Sequence, residues 1–215
     1  MFCSSCGKVV RPVVAVDIDG TLGDYHGHFI DFLARYLGLS PHPRMLRRYR
    51  GQEGFKEYAM ETFNISEAEW KDIKLAYRQG AQKRTMPIFS WAQPMCELIR
   101  MEGAELWVTT TRPYLRLDNV DPDTRAWLRH HGIRYDGLIY DKYKYQRLAE
   151  NVDPERVVAV VDDLSDKVEE AREVFGTDVP VQRLTIYNGY SENTSLRLIT
   201  GLVLRRIEEW KELHP

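Results

Sequence analysis

The stretch Val13-Val14-Ala15-Val16-Asp17-Ile18-Asp19-Gly20-Thr21 constrains this chain more than any other. A short, β-branched apolar run suits a strand buried on both faces, as in a parallel sheet. The polar end cannot stay buried, so the strand must finish at a surface or cleft at Asp17. Strand side chains alternate with period two, so Asp17 and Asp19 point roughly the same way. Two carboxylates that close repel each other unless a divalent cation joins them or one is protonated. Gly20 then allows a sharp bend. The plain alternative is a strand ending in an Asx turn with two solvated aspartates.

Two further apolar runs end in the same manner. Ala104-Glu105-Leu106-Trp107-Val108-Thr109 runs into Thr110-Thr111-Arg112-Pro113, and Val157-Val158-Ala159-Val160-Val161 runs into Asp162-Asp163. Tyr135 to Tyr140 and Val181 to Tyr187 are weaker strand signals. Helical patterns lie between them: Phe29 to Leu37, a helix from about Ser90 through Met101, one opened by Asp121-Pro122, one from Lys144 through Leu148, Asp166 to Phe175, and Leu196 to Leu213. Strands alternating with helices predict an α/β fold, a Rossmann-like parallel sheet with helices on both faces. Such sheets bind ligands at the carboxyl ends of their strands. All three strong strands carry their polar residues there.

Residues 41–86 show no strand signal. Arg44, Arg47, Arg48 and Arg50 form a basic cluster, aromatic residues recur at Phe55, Tyr58 and Phe63, and Ser66-Glu67-Ala68-Glu69 is a capping box. Trp70, Ile73, Ala76 and Tyr77 give the helix after it an apolar stripe. The organisation expected is an N-terminal tail over 1–12, an α/β core over 13–23 and 87–215, and a small helical cap over 24–86, inserted after the first strand.

Composition narrows the function classes. The 215 residues carry a net charge of −2, so no global attraction draws the chain to nucleic acid or membranes. No apolar run approaches a membrane span. The N-terminus lacks the apolar core of a signal peptide, and three cysteines do not make a disulfide framework, so a reducing, cytoplasmic setting is expected. Cys3-x-x-Cys6 supplies two of the four ligands a structural zinc wants, and a flexible end is its plainer reading. Cys96 sits in a helical pattern and reads as core.

Four elements now stand in order: Asp17-x-Asp19-Gly20-Thr21, Thr110 after a strand, Lys144 at a helix start, and Asp162-Asp163 after a strand. With them, residues 13 to about 190 resemble the haloacid dehalogenase-like (HAD) hydrolases. The resemblance implies a Mg2+-dependent phosphomonoester hydrolase. Asp17 would attack phosphorus and form an aspartyl-phosphate. Asp19 would protonate the leaving oxygen, then deprotonate the attacking water, its carbonyl also binding magnesium. Asp17 with one or both of Asp162 and Asp163 would hold the metal through oxygen. Thr110 would donate to a phosphoryl oxygen, with Thr109 and Thr111 as rivals, and Lys144 would balance charge, with Lys142 as its competitor. Thr21, Thr111, Arg112, Tyr25 and Phe89 are the expected substrate contacts. Asp166 is read as a cap of its helix, and neither His26 nor His28 is given a catalytic role.

Within the family, the run from Asp17 to Phe29 resembles the 5'(3')-deoxyribonucleotidases, whose cap aromatics stack on the base. Tyr25, Phe55, Trp70, Phe89 and Trp91 are the matching candidates, with cap core as the plainer reading of each. The Thr110-Thr111-Arg112 and Lys144-to-Asp162 arrangement instead resembles the 3'-phosphatase domain of phage polynucleotide kinases, which would give the basic cluster a nucleic-acid backbone to contact. A nucleoside monophosphate is the substrate preferred and a polynucleotide end the alternative. A catalytically silent scaffold that binds a partner is the third reading.

Overall fold

The computed structural model describes residues 10–40, 54–113, 116–183 and 192–215, and of 192–194 only the helical backbone. The Cys3-x-x-Cys6 motif, the basic cluster Arg44 to Arg50 and most of the strand expected up to Tyr187 lie outside the described residues.

Among the described residues, five strands form one parallel sheet: β1 (Val13–Asp17), β2 (Glu105–Thr110), β3 (Gly137–Tyr140), β4 (Val157–Asp162) and β5 (Pro180–Gln182). Their spatial order is β3-β2-β1-β4-β5. The opening run is therefore the central strand, with Asp17 beside Thr109 of β2 and Val16 beside Val161 of β4. Burial on both faces explains its continuous apolar pattern: Val13 to Val16 are fully buried. The strand order reverses between β1 and β4, where this architecture opens a crevice. Asp17 ends one of those strands and Asp162 the other.

The helices are α1 (Tyr25–Tyr36), α2 (Phe55–Phe63), α3 (Glu67–Gln79), α4 (Ala92–Met101), α5 (Val120–His130), α6 (Lys144–Ala149), α7 (Ser165–Phe175) and α8 (Glu192–Leu213), with a short 3-10 turn at Gln82–Thr85. No helix among the described residues is long and apolar enough to cross a membrane. Helix α1 starts four residues before the expected Phe29, because the Asp24 carboxylate accepts from the Gly27 amide and caps it. The capping box of α3 forms as the sequence predicts, with Ser66 and Glu69 each accepting from the other's amide. Asp166 does not cap α7. Leu164 holds that position, and the Asp162 carboxylate accepts from the Leu164 amide at 3.0 Å. Helix α5 begins at Val120 with Asn119 in the cap position, two residues before the Pro122 expected to open it behind an Asp121 cap. Pro122 still falls in the first turn, where an amide has no partner within the helix.

One apolar cluster joins Val14, Val16, Ile18, Met86, Trp127 and α8 residues such as Val203 on one face of the sheet. Another joins Val13, Ala15, Tyr145 and Ala171 on the opposite face. A separate cluster is built wholly between Tyr25 and Tyr77, around Phe29, Phe55, Trp70 and Tyr77. The chain enters and leaves that region side by side. Gly23 bridges Ile88, the Asp24 amide donates to the Pro87 carbonyl at 2.8 Å, and the Phe89 amide donates to the Leu22 carbonyl at 2.9 Å. These paired crossings set helices α1 to α3 over the carboxyl end of β1. A Cβ at Gly23 would stand 2.3 Å from the Met86 methyl and 3.0 Å from the Trp127 ring, so a larger residue here would have to displace the Met86 side chain.

Candidate active site

A cleft of about 290 Å³ lies between the strand ends and the α1–α3 helices. Asp17, Asp19, Thr111, Arg112 and Asp163 line it from the sheet side, and Tyr25, His26, Phe55, Trp70, Tyr77 and Lys83 from the helical side.

Asp17, Asp162 and Asp163 converge, with one carboxylate oxygen from each lying within 4.8 Å of the others, all three buried. Lys144 lies among them, 2.5 Å from Asp17 Oδ1 and 2.6 Å from Asp162 Oδ2, and only 1% of its side chain is exposed. Its competitor Lys142 is exposed. The start of α6 is held from α7: Glu170 accepts from the Tyr145 amide at 2.9 Å, and Lys167 donates to the Lys142 carbonyl at 2.8 Å. Asp162 is fully engaged, since it also accepts from the Tyr145 hydroxyl and the Leu164 amide. Asp163 is not: Thr21 donates to its Oδ1 at 3.4 Å, and its Oδ2 has no partner among the described residues.

Three carboxylates thus share one ammonium. Burial pushes the Asp17 carboxyl up to about 7 against the pull of Lys144, and Asp162 and Asp19 add to the rise. Burial, then the charges of Asp17 and Asp162, hold the Asp163 carboxyl well above its ordinary range. Lys144 shows the complement: burial works against its charge, but Asp162 and Asp17 outweigh it and raise its affinity for a proton. The orphaned Asp163 Oδ2 and the excess of buried negative charge fit an oxygen-seeking divalent cation such as Mg2+.

Asp19 belongs to a different set. Arg112 grips its carboxylate with both nitrogens, Nε at 3.0 Å and Nη2 at 2.6 Å, and Lys83 donates to it at 2.5 Å. Burial alone would raise the Asp19 carboxyl, but Arg112 and Lys83 overcome it and hold it far below the usual carboxylate range. In this arrangement Asp19 carries no proton. The Arg112 guanidinium is itself seated by Thr124 Oγ1 at 2.8 Å. Lys83 projects over the Tyr25 ring, 4.0 Å from its centroid. Burial first, and then the Arg112 charge, bring the Lys83 ammonium down to about 7 despite Asp19.

The remaining sequence candidates divide. Tyr25, Phe55 and Trp70 line the cleft. Phe89 does not: it packs in the core on the sheet side, with the Arg183 guanidinium 3.7 Å above its ring and the same Arg183 donating to the Gly20 carbonyl. Trp91 packs against that cluster, and its Nε1 donates to Thr200. Of the three threonines, Thr111 reaches the cleft, while the Thr110 hydroxyl accepts from the Arg112 amide at 3.3 Å. Thr21 is fully buried against Asp163. His26 faces the cleft against Phe55, and burial lowers it to about 3, so it is neutral at pH 7.

Sequence reasoning missed Lys83 and Tyr145. Lys83 stands 64 residues from its partner in a segment without a strand or motif, so no local pattern marks it. Tyr145 adjoins Lys144 but reads as an ordinary apolar helix position.

No family model matches the chain, and no curated protein sequence matches it significantly. Solved structures do share its fold. A predicted phosphatase from Clostridium acetobutylicum superimposes with a TM-score of 0.57 at 15% identity, over 92% of this chain and all of its own. A haloacid dehalogenase-like family hydrolase from Streptococcus pneumoniae gives 0.51 at 17% identity, over 87% and 90%. A HAD family hydrolase from Deinococcus radiodurans, solved with bound phosphate and sodium, gives 0.51 at 18% identity, over 77% and 78%. The chain therefore shares the fold of these hydrolases, a parallel Rossmann-like sheet, and carries its own acidic aspartate cluster at the carboxyl edge.

Proposed function

We propose that this chain is a Mg2+-dependent phosphomonoester hydrolase that works through an aspartyl-phosphate on Asp17, with nucleoside monophosphates as its substrates. The observation that carries the reading is the placement of Asp17: at the cleft floor, fixed by Lys144, beside an Asp163 oxygen with no partner. Asp17 and Asp163 would hold the metal, with the Asp19 carbonyl as the expected third protein oxygen. Asp162, already bonded to Lys144, Tyr145 and Leu164, orients the lysine instead. When bound, the metal neutralises phosphate charge and lets an anionic nucleophile approach.

The chain's own residues supply the rest. An Asp17 carboxylate oxygen attacks phosphorus in line while the ester P–O bond breaks. Lys144 holds the attacking carboxylate in position and offsets its charge. The leaving oxygen takes a proton from Asp19; in the second half, Asp19 removes a proton from the water that hydrolyses the aspartyl-phosphate. Asp19 needs its proton for the first half, yet Arg112 and Lys83 hold it ionised without substrate. An entering phosphate ester competes for both cations, and their transfer to it restores the proton affinity of Asp19. Tyr25, Phe55, Trp70 and Tyr77 line the helical side of the cleft, where a base would lie. The cleft volume suits a small molecule and favours a mononucleotide over a polynucleotide end.

The test is hydrolysis of 4-nitrophenyl phosphate with Mg2+ and after chelation. Activity should vanish on chelation and return with Mg2+. Asp17→Asn should lower kcat by at least about a thousandfold and abolish the phosphorylated protein seen by mass spectrometry in the wild type. Undiminished turnover in the Asn variant refutes the covalent mechanism. Faster, salt-sensitive hydrolysis of a 3'-phosphorylated oligonucleotide than of any nucleoside monophosphate refutes the substrate assignment.

A further inference from the structure

Among the described residues, five cationic side chains line the cleft: Lys56, Lys74, Arg78, Lys83 and Arg112. Three are occupied. Lys56 is paired with Glu67 at 2.7 Å, and Lys83 and Arg112 with Asp19. Among the described residues, Lys74 and Arg78 have no carboxylate within 4.0 Å. Asp123, which also borders the cleft, is closed by Arg84 at 2.5 Å and Asn119 at 2.7 Å.

Lys74 and Arg78 sit on α3 four residues apart, on the face that also carries Trp70 and Tyr77. Trp70, Lys74, Tyr77 and Arg78 follow helical spacing, so one face of α3 presents alternating rings and cations to the cleft. Lys74 lies 5.5 Å from the Trp70 ring centroid. Like charges four residues apart on a helix destabilise it, and both side chains are half-buried. Burial, then the Arg78 charge, bring the Lys74 ammonium down to about 8. Folding alone gains nothing from this pairing. An anion entering the cleft would relieve it.

We propose that Lys74 and Arg78 form a second anion subsite on the helical wall of the cleft, so that the preferred substrate is a phosphate ester carrying a second anionic group, carboxylate or phosphoryl, at its far end. The proposal rests on the phosphatase reading and narrows its substrate: a plain nucleoside monophosphate has no anion at its far end, so the subsite selects an ester that carries a second one. The ester phosphate occupies the aspartate end, the body of the molecule lies along Tyr25 and Trp70, and the distal anion meets Lys74 and Arg78.

The test compares three aryl phosphates that differ only at the para position: carboxamide, carboxylate and phosphonate. In the wild type, kcat/KM should be about tenfold higher for at least one anionic ester than for the carboxamide, and the ratio should shrink with added salt. Whichever of carboxylate and phosphonate gains more identifies the anion. In Lys74→Met/Arg78→Gln the ratio should fall to about one. Lys71→Met, at a side chain 71% exposed and outside the cleft, should keep the wild-type ratio, which shows that local rather than overall charge is read. Equal rates for all three esters in the wild type, or a ratio that survives the double substitution, overturn the subsite while leaving the phosphatase reading intact. No turnover of any ester overturns both.

Discussion

Replacing Lys144 by Met tests the electrostatic core of the site. Lys144 is 1% exposed and bonded to two buried carboxylates. Removing one partner of a buried ion pair costs about 3–5 kcal/mol, because the remaining charge is left uncompensated. Here Asp17 and Asp162 are both stranded, so a loss of about 4 kcal/mol is expected at pH 8 without metal. For a chain of this size that corresponds to a fall in Tm of about 8–16 °C. The loss must depend on pH. Asp17 titrates at about 7 in the folded chain against an ordinary 3.8, so the folded state binds its proton more tightly than the unfolded one. Its contribution is fully present below pH 3.8 and is lost as pH rises through about 7. Lys144 pulls the Asp17 value down, so without the lysine it lies higher and the loss continues further up the pH scale. The stability gap between wild type and variant should therefore be narrow at pH 5 and wide at pH 8. Urea denaturation in EDTA at both pH values measures it, as a shift in midpoint at constant slope. A gap below about 1 kcal/mol at pH 8, or one equal at the two pH values, would refute the reasoning.

Two other substitutions test the frame. Gly137→Ala at the start of β3 would place a Cβ 2.2–2.5 Å from the Trp107 ring, so overpacking should cost about 1–3 kcal/mol in urea denaturation; an unchanged midpoint would mean that the strand can shift. Ser66→Ala removes the hydroxyl that accepts from Glu69 and should cost about 1 kcal/mol, read from the thermal midpoint, since the capping box is exposed and the Glu69 carboxylate loses its partner hydroxyl as well.

Much of the core was legible because its signals are local. Val13 to Val16 and Val157 to Val161 read as strands buried on both faces, and a parallel sheet buries its central strands in that way. The aspartates that end them were legible because a carboxylate cannot close an apolar strand without a cleft or partner. Ser66 and Glu69 announced a helix start through a spacing of three, which two reciprocal hydrogen bonds require. Where the sequence misled, a competing local interaction decided the outcome. Asp24 rather than the apolar period set the start of α1, and α7 starts behind Leu164, whose amide donates to the Asp162 carboxylate, ahead of the Asp166 expected to cap it. Phe89 looked like a cleft aromatic and became core beneath Arg183, 94 residues away along the chain but stacked at 3.7 Å.

By itself the sequence determined the alternation of strands and helices, the burial of the Val13–Asp17 run on both faces, and the residue types available for chemistry at the strand ends. These follow from periodicity and from the cost of burying charge, both of which act within a few residues. Only the tertiary structure decided how the carboxylates were shared. It gave Asp17 and Asp162 to Lys144, left Asp163 an open oxygen, and turned Asp19 away to Arg112 and Lys83. Those assignments depend on which distant cations the sheet order and the paired crossings at Gly23 and Ile88 bring within a few ångströms. Coulomb interactions and desolvation depend on distance in space rather than along the chain, so two aspartates two residues apart are shifted in opposite directions.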